Sequence, residues 1–362
     1  MNIIIFEDKN DGFFTPFSIN HSMFELRVGA MTNLERIQAM YPNEQLFLIV
    51  DEKIEHVLKE KFPYCKVNPV NIPKGNCLNA SAVFKNEHLP LINNGDTLSN
   101  DHRLISFYLD SETTLEEFDK LIDYHTDITK ACNIEIINNL WEIFDINEKM
   151  INYDYHNFHS NNNYKSHHSL IRINEDCIFI GDNSIIKAGV ILDATSGPII
   201  IDSNVTIDNS SIIEGPCYIG KGSYVSPNSL IRKNNTIGPM CKIGGEVSCC
   251  NILGYSNKVH DGFLGHSYIG EWVNIGAGTN NSNLKNNYGS VKIQYKDSIL
   301  DTKLQFFGCL IGDYSRLAIG TNINTGTYIG LGTNLFNHDF STKYISSFSW
   351  GDNQVVKIDS LI

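Results

Sequence analysis

Basic residues are scarce in this chain. Its 362 residues carry 28 Lys and Arg against 41 Asp and Glu, a net charge of −13. A nucleic-acid partner would need a basic face to meet its phosphates, so that class is set aside. Small anionic ligands stay open, because a few local cations or the N–H groups at a helix end can hold them. Long apolar runs are missing too, and none reaches the length of a membrane span. The start, "MNIIIFEDKNDG", lacks the leading basic residues and longer apolar core of a secretory signal. CxxC spacing is absent. The nine cysteines are scattered and odd in number, so they cannot all pair within the chain. This points to free thiols in a reducing cytoplasm. Cys249 and Cys250 are adjacent in a strand-like stretch and are expected to face opposite ways.

What is present divides into two halves with different patterning. In residues 1–150, "NIIIF" (2–6) and "QLFLIV" (45–50) are short apolar runs of the kind that form buried parallel strands. Between them "TNLERIQAMY" (32–41) reads as a helix, with Thr32 and Glu35 at capping-box spacing. Helices are also expected over 113–130 and 134–150, the second packing Trp141 and Phe144 against the next domain. Residues 151–169, rich in Asn and His, have no apolar periodicity and read as a linker. No carboxylate or Cys there completes a metal site.

From residue 178 a period of six takes over. Ile201, Ile207, Ile213, Ile219, Val225, Ile231, Ile237 and Ile243 keep one unbroken phase. Ile180, Ile186 and Leu192 form an earlier series offset by three residues, Ile269 and Ile275 resume the pattern, and Ile311, Leu317, Ile323, Ile329 and Leu335 complete it. Hexapeptide repetition is the signature of a parallel β-helix, each unit supplying a short strand whose aliphatic points into a narrow core. Between Ile243 and Ile269 the phase slips by two residues, and a second break falls at 281–305. Both are expected to be loops leaving the coil. Around them gathers "SNKVHDGFLGHSYIGEWVNIGAGTNNSNLKNN" (256–287), dense in His, Asn and Lys. Polar chemistry on a rigid scaffold is the usual layout of a site.

"SNKVHDGFLGHSYIGEWVNIGAGTNNSN", with "GDYSRLAIGTNINTGTYIG" (312–330) and "SFSWG" (347–351), resembles the acetyltransferase half of the GlmU-type bifunctional enzymes, most closely a subgroup associated with Bacteroidetes. The resemblance extends over essentially the whole length. It implies a Rossmann-like nucleotidyltransferase-type α/β domain over 1–150 and a linker over 151–169. A left-handed parallel β-helix over 170–345 and a tail over 346–362 would come after them. It also implies acetyl transfer from acetyl-CoA to an amino-sugar phosphate such as glucosamine-1-phosphate, possible coupling to nucleotidyl transfer with Mg²⁺, and a homotrimer.

Residue by residue, His260 falls on the family's catalytic base, which the chemistry requires because an amine must lose a proton as it attacks a thioester. Asn274 and Asn283 would orient sugar or cofactor. Ala277 and Gly278 lie where the backbone reaches acetyl-CoA, with Gly308 and Cys309 further cofactor contacts. Glu246 matches an acid near the sugar. Lys258 and Lys285 are placed at the phosphate by charge alone. The family's sugar-side Tyr is Phe263 here, and a phosphate-contacting Lys falls on Ser248, so the acceptor sugar is open to difference. Trimeric β-helix carbonic anhydrases are a second chemistry on this fold. His260 and His266 are six apart, but a third zinc ligand at suitable spacing is missing and His338 is remote.

The first half departs further. After the opening strand there is no GxGTR and no Pro–Lys, the loop that cradles a triphosphate in such domains. Pro16, Leu26, Arg27, Gly29 and Thr32 match the subgroup, while Asn20, His21 and Ser22 replace its Thr–Arg–Pro. Arg27 and Gly29, just before a helix start, and Asn79, in "GNCLNASAVF" (75–84), are the nucleotide-binding expectations. Asp96 is a nearby acid in poor register for a metal ligand. The rival readings are a sugar-1-phosphate nucleotidyltransferase with a purely trimerising coil, and a sugar-nucleotide-binding protein without turnover.

Overall fold

A computed structural model describes residues 1–9, 12–100, 102–126, 129–158, 163–336, 339–351 and 354–355. His338 lies outside them. The chain divides into two compact units. The first comprises 1–14, 20–26 and 31–140, and the second 15–19, 27–30 and 141–362. The division falls at Trp141, ahead of the boundary expected at 150.

The first unit is built on a seven-stranded sheet. Its strands are β1 (Asn2–Phe6), β2 (Gln45–Ile49), β3 (Lys66–Val67), β4 (Gly75–Asn79), β5 (Leu98–Asn100), β6 (Arg103–Leu109) and β7 (Lys130–Ala131). Their order across the sheet is β7-β5-β6-β4-β1-β2-β3, with β6 antiparallel to both its neighbours. Strand β1 lies between β2 and β4 and parallel to both. Ile3, Ile4, Ile5 and Phe6 are fully buried, which explains a strand written as an unbroken apolar run. Three helices of this unit matter below. Helix α1 (Asn33–Met40) starts at the expected capping box. The Glu35 N–H donates to Thr32 Oγ1 at 3.1 Å, and the Thr32 N–H donates to Glu35 Oε2 at 2.7 Å. Helix α2 is Glu52–Lys61. Helix α3 (Leu115–Thr126), shorter than the 113–130 expected, buries Phe118 and Ile122 against Phe6 and Phe107. Their i,i+4 spacing puts both on one face of the helix.

The second unit is a three-sided parallel β-helix with one helix of its own. Helix α4 (Ile143–Tyr155) starts nine residues later than expected and runs on into the stretch read as linker. Trp141 and Phe144 meet Phe307 edge-on or tilted, with ring centroids 6.5 and 6.0 Å apart. Asn147 Oδ1 accepts from Thr236 Oγ1 at 2.8 Å and ties the helix to the coil. The three sides form sheets of parallel strands stacked rung upon rung. All the aliphatics of the sequence series are buried in one continuous core running up the coil. Each fully buried Ile stabilises the fold by about 2 kcal/mol.

Register explains the slips. Where the coil is regular, each side repeats at eighteen residues, Thr206 pairing Tyr224 and Tyr224 pairing Lys242. Lys242 then pairs Asn257 and Asn257 pairs Asn274, rungs of fifteen and seventeen residues. The slip between Ile243 and Ile269 therefore comes from shortened corners, and no loop leaves the coil there. Only the second break is an excursion. The chain departs after Asn283, forms an antiparallel hairpin of Lys292–Tyr295 and Ser298–Asp301, and returns at Phe307. The Phe307 N–H donates to the Asn283 carbonyl at 2.9 Å, closing the neck.

Candidate functional site

The polar cluster sits where the short rungs meet the excursion. Five short strands frame it: β8 (Glu246–Ser248), β9 (Asn257–Lys258), β10 (Phe263–Gly265), β11 (Asn274–Ile275) and β12 (Asn280–Asn281). Strands β9 and β11 belong to one side of the coil, and β8, β10 and β12 run up the next. Within β8 and β10, Val247 and Leu264 point into the core. Strand alternation then turns Glu246, Ser248, Phe263 and Gly265 outward. In register, Glu246 pairs Phe263 and Ser248 pairs Gly265. Glu246 Oε1 accepts from Arg232 Nε at 2.7 Å, and the Phe263 N–H donates to Asn280 Oδ1 at 2.8 Å.

His260 stands exposed on the corner between these two sides. One rung higher in the chain's direction the same corner carries Ala277 and Gly278, whose N–H donates to the Asp261 carbonyl at 3.3 Å. One rung higher again it carries Ile319, 78 % exposed, followed by Gly320, whose N–H reaches the Ala277 carbonyl at 2.8 Å. Asn274 lies on the β9–β11 side of the corner, exposed, with its Oδ1 accepting from Asn257 Nδ2 at 2.9 Å. The fold therefore brings His260, Ala277 and Gly278 onto one corner. Asn274 flanks it on one side, and Glu246 and Phe263 flank it on the other.

Lys258 does not hold a ligand phosphate. It takes a core position, paired with Ile243, and is 3 % exposed. Its Nζ donates to the carbonyls of His260 at 2.8 Å, Asp261 at 3.1 Å and Gly244 at 3.3 Å. An ammonium has three N–H donors, and all three are used. Burial brings its pKa down to about 8, against a smaller upward pull from Asp261. Its charge was visible in the sequence and its inward direction was not. Lys285 belongs to the excursion, where its Nζ donates to the Ser290 carbonyl at 3.1 Å.

Gly308 and Cys309 are not on the corner that carries Ala277 and Gly278. They begin the strand after the excursion, at the opposite corner of the β10 side. Cys309 is fully buried in the core, its Sγ 3.4 Å from Ser267 Oγ. A Cβ at Gly308 would lie 2.2 Å from the Gly265 carbonyl, so the glycine serves close packing.

That opposite corner holds a residue the sequence presented only as a zinc alternative. His266 follows β10 as His260 precedes it, so the two imidazoles stand at different corners and do not converge as ligands. His266 Nδ1 is 2.9 Å from Asn283 Nδ2, and its ring stacks on Phe306 with centroids 5.3 Å apart. Burial lowers its pKa to about 4. Asn283 thus acts first on His266. The position of Asn283 one rung above His266, seventeen residues on, was the available signal. Of the adjacent cysteines, Cys250 faces the core, and Cys249 takes the corner below His266 with φ 53°.

In the first unit, the expected nucleotide contacts have other partners. Asn79 is fully buried. Its Nδ2 donates to the Leu104 carbonyl at 2.7 Å and its Oδ1 accepts from the Ser81 N–H at 2.9 Å. Asp96 binds Lys130 at 3.1 Å, which lowers its pKa. Arg27 and Gly29 belong to the second unit, where they are packed rather than presented. Arg27 Nη1 donates to the Ala30 carbonyl at 2.6 Å, with its guanidinium 5.8 Å from the Tyr218 ring centre. The Gly29 N–H donates to Asn147 Oδ1 at 2.8 Å, and a Cβ there would lie 2.5 Å from Asp154.

A cleft of about 390 Å³ opens beyond the carboxyl end of β1, lined by Glu7, Asp8, Lys9, His102, Arg103, Asp119 and Asp123 among others. That is where ligands sit in open α/β sheets. Asp8 is held by Arg103 through two bonds of 2.6 and 2.9 Å. Burial raises the pKa of Glu7, opposed by bonds from Ser22 Oγ, the Met23 N–H and the Asp51 N–H.

Known proteins share this arrangement in parts. Residues 3–163 match the family model for sugar nucleotidyl transferases, and 198–233 match that for the bacterial transferase hexapeptide. The chain joins a sugar nucleotidyl transferase domain to a hexapeptide-repeat coil. That coil is a left-handed parallel β-helix. The bifunctional protein GlmU of Thermodesulfovibrio yellowstonii is 34% identical over 158 residues, 43% of this chain and 31% of that protein. A bifunctional sugar-1-phosphate nucleotidylyltransferase/acetyltransferase of Sulfurisphaera tokodaii is 35% identical over 144 residues, 36% of each. The matches thus span about a third of the length of these relatives. Among solved structures, LpxA from Acinetobacter baumannii covers 47% of this chain and 66% of its own, with 13% identity and a TM-score of 0.23. No helix among the described residues is long and apolar enough to cross a membrane.

Proposed function

We propose that the chain transfers an acetyl group from acetyl-CoA to the amine of an amino-sugar phosphate, with His260 as the base. The observation that carries this is the corner itself. An exposed imidazole stands beside outward polar groups, one rung below a small-residue turn, on a backbone pinned by Lys258. The amine nitrogen attacks the thioester carbonyl while His260 takes its proton, and a backbone N–H at Ala277 steadies the oxyanion. The C–S bond then breaks, and the imidazolium returns its proton to the departing thiolate. Glu246 and Phe263 line the sugar side, and Asn274 the other. Ala277, Gly278 and Ile319 offer a narrow, partly apolar track to the pantetheine chain of CoA. In a homotrimer, a neighbouring coil would close this track.

The match over 3–163 favours a second activity, nucleotidyl transfer with Mg²⁺, in the cleft beyond β1. Against it stand the missing GxGTR loop and the engagement of Asp8 by Arg103. The deciding experiment is thiol titration of CoA released from acetyl-CoA and glucosamine-1-phosphate, by wild type and His260→Ala. Release that the variant loses by a hundredfold or more, on the order expected for a general base, supports the reading. Undiminished release by the variant removes His260, and none from wild type removes the reaction.

A further inference from the structure

The second imidazole of the site has no role in that scheme, yet it is the more constrained of the two. His266 sits at the far corner of the β10 side, separated from His260 by Asp261, Gly262 and the three residues of β10.

Three observations define its state. Asn283 Nδ2 approaches Nδ1 at 2.9 Å, and an amide NH₂ is a donor, so Nδ1 is the acceptor. In a neutral imidazole the proton then resides on Nε2. Phe306 stacks on the ring at an interplanar angle of 24° and fixes its plane. Around it, the Phe263 ring lies over Gly265, where a Cβ would be 2.5 Å from Phe263 Cζ and 2.7 Å from Asn283 Nδ2. Phe263, Gly265, Asn283 and His266 therefore form one continuous surface at the base of the excursion. No protein group among the described residues accepts from Nε2. Burial, with no neighbouring charge, keeps the ring neutral at physiological pH.

We propose that His266 is a substrate-binding residue that presents a fixed, neutral Nε2–H to an oxygen of the acceptor sugar phosphate. This rests on the acetyl-transfer reading for the class of ligand. A donor that cannot be exchanged for an acceptor discriminates by chemistry. It rewards an oxygen lone pair and rejects an N–H or a methyl at the same place. It also gives Asn283 a positioning role, holding the tautomer of His266.

The test is direct binding, with turnover measured separately. Glucosamine-1-phosphate and acetyl-CoA are titrated calorimetrically into the full chain and into His266→Phe, which keeps the stacking ring, and His266→Gln, which keeps an N–H. Nitrogen-15 NMR of histidine-labelled wild type reads the tautomer, with His266→Gln supplying the assignment. The expected result is an Nε2–H tautomer for His266. His266→Phe should bind the sugar phosphate roughly three- to tenfold more weakly, the scale of one neutral hydrogen bond. Acetyl-CoA affinity should be unchanged, and His266→Gln should stay near wild type. Asn283→Asp, whose carboxylate demands Nδ1–H, should flip the tautomer and weaken the same ligand. An Nδ1–H tautomer in wild type, undiminished sugar-phosphate binding by His266→Phe, equal weakening of both ligands or no sugar-phosphate binding by wild type each overturn the proposal. Binding with the expected losses but without CoA release sinks acetyl transfer and leaves His266 standing. Should His266→Phe fail to fold, the wild-type tautomer and His266→Gln still decide.

Discussion

The ammonium of Lys258 lies 2.8 Å from the carbonyl oxygen of His260. A charge placed inside an aliphatic column thus anchors the backbone that displays the exposed imidazole. The desolvation of that charge is offset by three carbonyls, of which those of Gly244 and His260 have no other donor among the described residues.

Lys258→Met should therefore cost more than lost charge. It strands the Gly244 and His260 carbonyls, and the expected loss is about 3 kcal/mol in urea unfolding. CoA release should fall with it in preparations that remain folded. Stability that stays within about 1 kcal/mol of wild type would remove the anchoring role.

The same lysine carries a pH signature. Its folded pKa of about 8 lies below the unfolded value near 10.5, so between those limits the unfolded chain binds the extra proton. Wild type should accordingly gain stability relative to Lys258→Met as pH rises from about 8 to 10.5. Paired denaturation curves at roughly pH 7, 8.5 and 10 read this, and a flat difference contradicts the assignment.

His266 acts at the acid end. Its pKa of about 4 lies below the free value of 6.5, so its contribution is complete above pH 6.5 and is lost as pH falls towards 4. The loss is on the order of 3 kcal/mol. His266→Gln should flatten that portion of the acid limb, measured as melting temperature from about pH 7 to 4.

Two glycines near the site separate strain from space. At Gly320, φ is +69° and nothing lies within 4 Å of an added Cβ, so Gly320→Ala should cost about 1 kcal/mol. At Gly262, φ is +112° and an added Cβ would lie 2.1 Å from the Thr279 carbonyl. Gly262→Ala should cost several kcal/mol and disturb the His260 turn. Chemical denaturation of the two variants side by side checks the ordering.

Ile319 offers a test of where the proposed cofactor lies. At 78 % exposure it adds little to the core, so Ile319→Ser should change stability by less than about 0.5 kcal/mol. If the pantetheine chain passes this corner, KM for acetyl-CoA should rise severalfold while KM for the sugar phosphate holds. The opposite pattern would place the cofactor elsewhere.

Much of the coil could be read from the sequence because each short strand commits one aliphatic inward, and Ile201 to Ile243 recorded that commitment every six residues. A phase slip, in contrast, counts residues without saying where they went. The slip before Ile269 looked like a departing loop and is a pair of shortened rungs. Lys258 was misjudged for a related reason, since charge argues for the surface and its neighbours' carbonyls argue otherwise. Arg27 and Gly29 precede a helix start, as anion-binding residues do. Their burial beside Asn147 and Tyr218 depends on residues more than a hundred positions away. His260, Ala277 and Gly278 were legible together because the rung register carries one onto the other.

The neck of the excursion behaves like a clasp. Asn283 and Phe307 are joined backbone to backbone, and Leu284 bridges Phe306 just outside. The rungs on either side meet in register across it, Asn274 pairing directly with Arg316. The hairpin beyond the clasp is thus a cassette laid on a continuous coil, with Tyr295 edge-on to Tyr328 and Tyr344. Exchanging the whole excursion would leave the inner aliphatic column intact while uncovering Tyr328 and Tyr344 and replacing Phe306, the ring against which His266 rests. Change in such a protein can come by swapping the ornament while the column stands.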